Sequence, residues 1–197
     1  AQVVLIGPTN TGKSTLLHEL TGAQVEIASY EFTTKVPELG IMDYQGVKIQ
    51  VIEIPAVVKH FANTKHGAAL LHLIQHADIV VYLFRTAEEK ALLDREIDDV
   101  QGQKVVYGGQ ENFKDILWQR TGLIKVYTKQ PGKEKEHPPV ALQKGASLKE
   151  VVQTVHKDFI QRFRFARVFG KSAKFPGQRV GLNHRLEDDD VVEFHLN

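Results

Sequence analysis

The sequence predicts an α/β protein in which a mostly parallel sheet carries helices on both faces, with a smaller α+β unit after it. Three observations support this prediction. A glycine-rich loop lies between an apolar run and an amphipathic segment, short apolar runs then alternate with helical patterns, and the pattern changes to short strands around one helix from residue 123 onward. We therefore predict two domains, residues 1–122 and 123–197.

The loop that organises the first domain is residues 7–14, GPTNTGKS, which fits the pattern G-x-x-x-x-G-K-[ST]. An apolar run at residues 3–6 precedes it, and leucines at helical spacing follow it, which is the strand–loop–helix context that this motif requires. In such a loop backbone N–H groups point at phosphates, the lysine reaches the terminal phosphates and the hydroxyl takes a Mg²⁺ position. The alternative is a glycine turn that precedes Lys-Ser by chance. We predict a nucleotide site made of Asn10, Thr11, Gly12, Lys13, Ser14 and Thr15, in which Lys13 is also catalytic and Ser14 binds the metal.

The remaining elements of the first domain follow from periodicity. Two alternating runs, 39–44 and 47–54, predict a hairpin with Gln45-Gly46 as its turn. Helical spacing predicts helices over 68–76, 86–100 and 112–120, and apolar runs predict buried strands over 79–84 and 104–109. A helix between two strands is a parallel crossover, so the carboxyl ends of the strands meet at one edge of the sheet.

Two connections reach the edge where phosphates would lie. The polar segment 29–34 contains Thr33 and Thr34 and is placed to close over a phosphate-bound Mg²⁺, although an ordinary threonine-rich loop fits as well. At the end of the second hairpin strand, Glu53 occupies the place of an acidic residue that helps to hold Mg²⁺ in P-loop nucleotide hydrolases. The backbone N–H of Ala56 is placed to contact the terminal phosphate.

The second domain is predicted as strands over 123–128, 140–142, 163–169, 178–182 and 191–196 around one helix. Ser147 and Glu150 have the spacing of a capping box at the start of that helix. Arginine and phenylalanine alternate over residues 162–169, as in platforms that bind single-stranded nucleic acid. A half-buried strand explains the same alternation, and phosphate contacts from outward arginines are a better interpretation than base stacking. A protein partner fits this surface too.

Composition and charge limit the class of protein. The 197 residues are 42% hydrophobic and 25% charged, which is ordinary for a globular protein, and the absence of cysteine excludes disulfides and thiolate metal sites. No apolar run approaches the roughly 20 residues that cross a bilayer, and no basic leader precedes the first strand, so we expect a cytoplasmic protein with no membrane partner. Residues 1–122 hold 11 basic and 15 acidic side chains, whereas residues 123–197 hold 14 basic and 9 acidic ones. The basic excess of the second half mildly favours a nucleic-acid partner.

Several motifs together resemble the Obg and developmentally regulated GTP-binding protein lineage, whose members carry a C-terminal TGS domain. The matching segments are NTGKSTLL at 10–17, YEFTT at 30–34, EIPA at 53–56, IKVYTK at 124–129, ARVFGKS at 166–172 and QRVGLNHRLEDDDVV at 178–192. The resemblance covers nearly the whole chain. It implies a GTPase-type P-loop domain, a TGS domain of β-grasp fold, GTP or GDP as ligand, and association with the ribosome or RNA and with a regulatory protein. It also implies that Ser14 and Thr34 bind Mg²⁺, that Thr34 acts in catalysis, and that Asn10 supports K⁺ binding.

The chain departs from this family in four respects. Glu53 replaces the expected aspartate and Ala56 the following glycine, whereas the apolar Val57 agrees with the family and implies slow intrinsic hydrolysis. The N-K-x-D segment, whose carboxylate reads guanine, is missing from the sequence, and so is the helical insertion of the family. Either the chain is a reduced member with lax base selectivity, or residues around 85–103 are missing from it.

Two functions fit these patterns. The first is a slow GTPase that acts with ribosomes or RNA through its TGS domain. The alternative is a pseudo-GTPase adaptor with a vestigial nucleotide site, whose activity is binding to RNA or to a partner protein.

Overall fold

The structure is a computed structural model that describes residues 1–22, 25–27, 37–155 and 162–196, with only the backbone of residues 25–27. The chain divides into two compact units. The first comprises Ala1–Tyr44 and Lys48–Thr121, and the second comprises Gln45–Val47 and Gly122–Asn197. In the described part of the chain, no helix is both long enough and apolar enough to cross a membrane.

The first unit is a six-stranded sheet with helices. Its elements are β1 (Gln2–Ile6), α1 (Lys13–Thr21), β2 (Val25–Ile27), β3 (Glu38–Tyr44), β4 (Val47–Glu53), a short 3-10 helix (Phe61–Asn63), α2 (Gly67–Gln75), β5 (Ile79–Tyr82), α3 (Ala87–Glu96), β6 (Gln103–Val106) and α4 (Phe113–Thr121). The strand order is β2-β3-β4-β1-β5-β6. Strand β1 pairs in parallel with β4 and β5, and β5 pairs in parallel with β6, whereas β2 is antiparallel to β3. The predicted α/β class is confirmed, with an antiparallel edge added to the parallel sheet.

Strand β1 lies at the centre of this sheet. Its residues Val3, Val4, Leu5 and Ile6 have no exposed surface, because strands flank it on both sides and apolar side chains cover both faces. After β1 the chain builds the sheet on one side through β4, then crosses over to add β5 on the other side. The loop after β1 therefore lies where the strand order reverses, which is the place where open α/β sheets bind their ligands.

The predicted hairpin is confirmed as β3 and β4. Gln45 and Gly46 both have positive φ, 52° and 93°, as a tight two-residue hairpin turn requires. Strand β2 pairs with β3 by the backbone, and the sequence analysis did not anticipate it. The motif at residues 30–34 lies outside the described residues.

The helix predicted over 86–100 is shorter in the structure, where α3 spans Ala87–Glu96. The Thr86 hydroxyl caps its start by accepting a hydrogen bond from the backbone N–H of Glu89 at 3.2 Å. The helix ends before Asp99, whose φ of 51° is incompatible with helix. Apolar spacing continued to Val100 in the sequence because Ile97 and Val100 pack on the core from a non-helical segment.

Strands β5 and β6 are direct neighbours. Four consecutive pairs join them, from Ile79 with Gln103 to Tyr82 with Val106. The backbone N–H of Tyr107 continues this ladder to the carbonyl of Tyr82 at 3.0 Å. Strands β5 and β6 are therefore adjacent in the sheet, with no strand between them. The N-K-x-D segment is missing from the sequence in this part of the chain.

The second unit is a five-stranded sheet, with one helix among its described residues. Its elements are β7 (Leu123–Lys129), β8 (Val140–Gln143), α5 (Leu148–Val155), β9 (Phe163–Phe169), β10 (Gln178–Val180) and β11 (Asp190–Leu196), in the order β10-β9-β11-β7-β8. Strands β7 and β11 are parallel, and the other neighbouring strands are antiparallel. Helix α5 packs Leu148 and Val151 against one face of the sheet, which confirms the predicted α+β unit.

Two local features hold this unit together. The Glu150 carboxylate accepts hydrogen bonds from the backbone N–H of Ser147 at 3.0 Å and from its hydroxyl at 3.1 Å, which is the Glu150 half of the predicted capping box. The backbone N–H of Glu150 donates to the Ser147 carbonyl at 3.0 Å rather than to the hydroxyl. Lys125 is only 2% exposed, and its ammonium group lies 3.0 Å from Asp188 and 3.1 Å from Asp189. Burial lowers the pKa of Lys125, but the two carboxylates outweigh it and hold the pKa above its usual value.

Candidate functional site

The loop between β1 and α1 makes a tight turn that depends on two glycines. Gly7 has no room for a side chain, because an added Cβ would lie 2.4 Å from the carbonyl oxygen of Leu83. Gly12, directly before α1, has φ of 87°, a conformation that glycine adopts without strain. These glycines bring the loop against the end of β5 and lead it into the helix, so the loop lies at the carboxyl edge of the sheet.

Lys13 folds back over this loop. Its ammonium group donates a hydrogen bond to the carbonyl of Pro8 at 2.9 Å, and the side chain is 6% exposed. Burial lowers the pKa of Lys13, which the nearby Glu53 carboxylate partly offsets. A cation held in this way is poised to exchange a carbonyl partner for a phosphate oxygen. The Pro8 carbonyl is a partner that the sequence analysis did not name.

Ser14 and Glu53 meet although 39 residues separate them. The Ser14 hydroxyl donates to Glu53 Oε1 at 2.9 Å, because α1 begins beside the end of β4. The second carboxylate oxygen, Glu53 Oε2, is buried and has no hydrogen-bond partner among the described residues. Burial raises the pKa of Glu53, although the hydrogen bond from Ser14 and the charge of Lys13 act in the opposite direction. A hydroxyl beside an under-satisfied carboxylate is a suitable donor set for Mg²⁺, which prefers oxygen ligands.

A cavity of about 330 Å³ lies over these groups. The described residues that line it include every residue predicted to bind the nucleotide, and they are Thr9, Asn10, Thr11, Gly12, Lys13, Ser14, Thr15, Glu53 and Ala56. A larger cavity of about 570 Å³ in the second unit is lined by Thr128, Lys129, Glu136, His195 and neighbouring residues. We assign the chemistry to the smaller cavity, because it alone of the two contains a helix N-terminus, a buried lysine and an unpartnered carboxylate oxygen.

The segment after β4 is anchored to the rest of the first unit. The backbone N–H of Val57 donates to the carbonyl of Gly7 at 3.1 Å, and the Val57 side chain is buried in the core. The backbone N–H of Phe61 donates to the carboxylate of Glu96 at 3.0 Å, a contact that sequence spacing did not indicate. Ala56 lies directly before Val57 and lines the smaller cavity, and its predicted contact with the terminal phosphate stays a prediction. Thr34 lies outside the described residues, so its predicted role stays a prediction.

The second unit presents basic and aromatic side chains on the sheet face opposite α5, which we call the open face. Its members are Lys129, Phe165, Arg167, Phe169, Arg179, Glu193 and His195. The Phe165 ring lies between Arg179, 4.1 Å from the ring centroid, and the stacked ring of His195 at 4.3 Å. Neighbouring strands supply these two groups on opposite sides of Phe165. Base stacking on this ring therefore loses support.

One acidic side chain, Glu193, lies within the open face and is already paired. Its carboxylate lies 3.1 Å from the ammonium group of Lys129 and 2.8 Å from the imidazole of His195. Burial acts to raise the pKa of Glu193, but these two hydrogen bonds outweigh it, and the pKa is lowered. Arg167 and Arg179 remain exposed on the same face, so the face has excess positive charge.

Two known protein families match separate parts of the chain. Residues 2–109 match the protein family described as 50S ribosome-binding GTPase, and residues 124–196 match the TGS domain. An uncharacterized GTP-binding protein of Methanocaldococcus jannaschii is 26% identical over an alignment that covers 98% of this chain and 77% of that protein. Human developmentally-regulated GTP-binding protein 2 is 23% identical, with 98% of this chain and 82% of that protein covered.

The alignments also show that this chain is shorter than the matched part of its relatives. The alignment with the Methanocaldococcus protein extends over 301 positions, which exceeds the 197 residues of the chain by 104. At least 104 positions of that relative therefore have no counterpart here.

Proposed function

The chain belongs to the 50S ribosome-binding GTPase family and carries a TGS domain, and from this premise we propose that it binds GTP and GDP with Mg²⁺ and hydrolyses GTP slowly. The observation that carries the proposal is the arrangement at the phosphate cavity. Lys13 is folded onto the loop, and Ser14 is bonded to a carboxylate whose second oxygen has no partner among the described residues. We keep the domain boundary after residue 122 and the cytoplasmic location as proposals.

The residues of the cavity suit distinct tasks in phosphate binding. The N–H groups of the loop and the start of α1 favour the negative charge of the phosphates, and Lys13 neutralises the terminal ones. Ser14, Glu53 and Thr34 would hold Mg²⁺, which supplies charge neutralisation between the phosphates. We propose that Ala56 offers its backbone N–H to the terminal phosphate, and that Thr34 joins Lys13 in catalysis.

Slow hydrolysis follows from the position after Ala56. The Val57 side chain is 1% exposed and its backbone N–H is bonded to Gly7, so this position offers no polar group to orient an attacking water. We propose that turnover depends on a partner protein, and that K⁺ near Asn10 adds positive charge at the phosphates.

Measurements of nucleotide binding test this proposal. Wild-type protein should bind fluorescent GDP in the presence of Mg²⁺, and Lys13→Ala should remove the binding because the terminal phosphates lose their cation. Lys90→Ala is the matched control, because Lys90 is paired with Asp94 on the surface of α3. If the wild type binds no guanine or adenine nucleotide at millimolar concentration, the proposal fails.

Hydrolysis separates the proposed GTPase from a pseudo-GTPase adaptor, which the family assignment does not favour. A slow phosphate release that Lys13→Ala abolishes, measured in KCl and again in NaCl, is the expected result. Binding without any turnover, in either salt and with ribosomes added, would instead support the adaptor.

We further propose that the open face of the TGS domain contacts RNA phosphates, on the ribosome or free. Support comes from the exposed side chains of Arg167 and Arg179 and from the pairing of Glu193, which leaves the positive charge uncompensated. The stacked ring of Phe165 favours backbone contact over base stacking.

A further inference from the structure

We propose, resting on the proposed function, that the nucleotide site recognises the phosphates and their metal ion and leaves the base unselected, so that adenine nucleotides bind about as tightly as guanine nucleotides. The family assignment concerns binding of GTP. Discrimination against other bases is a separate property, and it depends on which groups lie beside the phosphate cavity.

The lining of the cavity is the first observation. All the described residues that line it come from the loop after β1, the start of α1 and the segment that ends β4. The loops that follow β5 and β6 contribute none. A base attached to phosphates in this cavity would extend along the carboxyl edge of the sheet, and in the part of the chain that the structure describes those two loops are the ones on the β5 and β6 side.

At the loop after β5, the carboxylate of Glu89 is already paired with Arg85. The Glu89 carboxylate accepts hydrogen bonds from the backbone N–H of Arg85 at 2.7 Å and from its guanidinium group at 2.9 Å, one on each oxygen. These bonds hold the pKa of Glu89 below its usual value, so the carboxylate stays ionised and paired. Reading a base with Glu89 would require breaking this pair.

In the loop after β6, the amide of Gln110 is also paired, with the backbone of its own loop. The Gln110 amide accepts a hydrogen bond from the backbone N–H of Gly108 at 2.8 Å and donates one to the carbonyl of Val106 at 3.1 Å. The Tyr107 hydroxyl points to Glu19 of α1 at 3.5 Å. Because β6 pairs directly with β5, no further strand delivers a base-reading loop between them.

Guanine selection needs a particular kind of group. Guanine presents two adjacent N–H donors on its Watson–Crick edge, whereas adenine presents one donor and one acceptor, so a carboxylate acceptor distinguishes them. A good bidentate contact to a base contributes about 1–3 kcal/mol of discrimination, and its absence leaves the phosphates to determine the affinity. Glu111 is the one carboxylate within the loop at residues 107–112, and it is exposed at the surface, where water competes for it.

Isothermal titration with GDP, ADP and inorganic tripolyphosphate, each with Mg²⁺, tests the inference on the full chain. We expect Kd values for GDP and ADP within about threefold of each other, because a missing bidentate contact removes the discrimination. Tripolyphosphate should compete with both nucleotides. A preference for GDP of more than about tenfold would overturn the inference and leave the proposed function standing. If none of the three ligands binds, the proposed function fails and the inference with it.

The variants Glu111→Gln and Gln110→Ala test whether either side chain contacts the base. We expect each variant to change the Kd for GDP and for ADP by the same factor, since neither side chain reads a base. A loss confined to GDP in either variant would show a base contact from this loop and would refute the inference. The melting temperature of each variant, compared with wild type, confirms that the loop still folds.

Discussion

Glu53→Gln removes one charge from the phosphate cavity and leaves its shape intact. The amide is the same size as the carboxylate, and its oxygen still accepts the hydrogen bond from Ser14. The substitution therefore tests whether the unpartnered carboxylate oxygen of Glu53 serves the metal ion.

The expected size of the effect follows from the position of Glu53. Its carboxylate is bonded to the Ser14 hydroxyl and has one oxygen available, which places it as a direct or water-mediated support of Mg²⁺. Losing an outer-shell support costs about 10- to 100-fold in metal affinity, or about 1.4–2.8 kcal/mol. The Mg²⁺-dependent part of GDP affinity should fall by that factor. The affinity in EDTA should not fall, because the substitution removes a negative charge beside the phosphates.

The pKa of Glu53 supplies an independent readout. Burial raises this pKa above the usual 4.5, so the folded protein loses stability as the pH rises through the raised value. The neutral amide of the Glu53→Gln variant has no such cost, so the variant should unfold at the same temperature as wild type at pH 7 or at a higher one. Wild type should also lose its Mg²⁺-dependent affinity as the pH falls from neutral toward 4.5, because protonation removes the ligand charge.

Titration of GDP with Mg²⁺ or EDTA measures the effect, and Glu88→Gln on the exposed surface of α3 is the control. An unchanged Mg²⁺ dependence in Glu53→Gln would refute a metal role for Glu53. A lower melting temperature at pH 7 would refute the assignment of burial as the cause of the raised pKa.

Three further predictions concern other parts of the molecule. Lys13→Ala should weaken GDP binding by at least about 100-fold, since a hydrogen bond to a charged group contributes about 1.5–3 kcal/mol and the lysine also neutralises phosphate charge. A titration in which the variant and the wild type bind GDP equally would contradict this prediction. Arg167→Ala and Arg179→Ala should each lower the slope of log K against log salt for single-stranded RNA by about 0.7 in anisotropy titrations, whereas unchanged slopes would remove the open face from RNA binding. In urea unfolding, Asp188→Ala should lower the free energy of unfolding by about 2–3 kcal/mol and Lys125→Met by about 1–2 kcal/mol. The first variant costs more because it leaves a buried ammonium group short of a partner, whereas the second leaves partly exposed carboxylates. The reverse order would contradict this account.

Local patterns were reliable guides in this chain. The hairpin turn at Gln45 and Gly46 forms as predicted, and so does the half of the capping box in which Glu150 accepts from the backbone N–H of Ser147, because a few contiguous residues determine each. The end of α3 was predicted four residues too late. Apolar spacing reports which residues reach the core, and Val100 reaches it from outside the helix.

Contacts between distant segments could not be predicted in the same way. The bond from Phe61 to Glu96 joins residues 35 apart, and it depends on how the segment after β4 packs beside α3. The stack of Arg179 and His195 on Phe165 depends on β9 lying between β10 and β11. Neither relation has a signature in residue spacing, since strand order is a property of the whole sheet.

The sequence by itself determined the phosphate loop at residues 7–14 and the membership of the family, because both depend on contiguous residues whose backbone geometry and chemistry are local. The tertiary structure decided how these residues are used. It brought Ser14 to Glu53, left one carboxylate oxygen without a partner among the described residues, and paired β5 directly with β6 beside the cavity. Sheet order and burial arise from long-range packing, so they determine which groups meet and which remain available to a ligand.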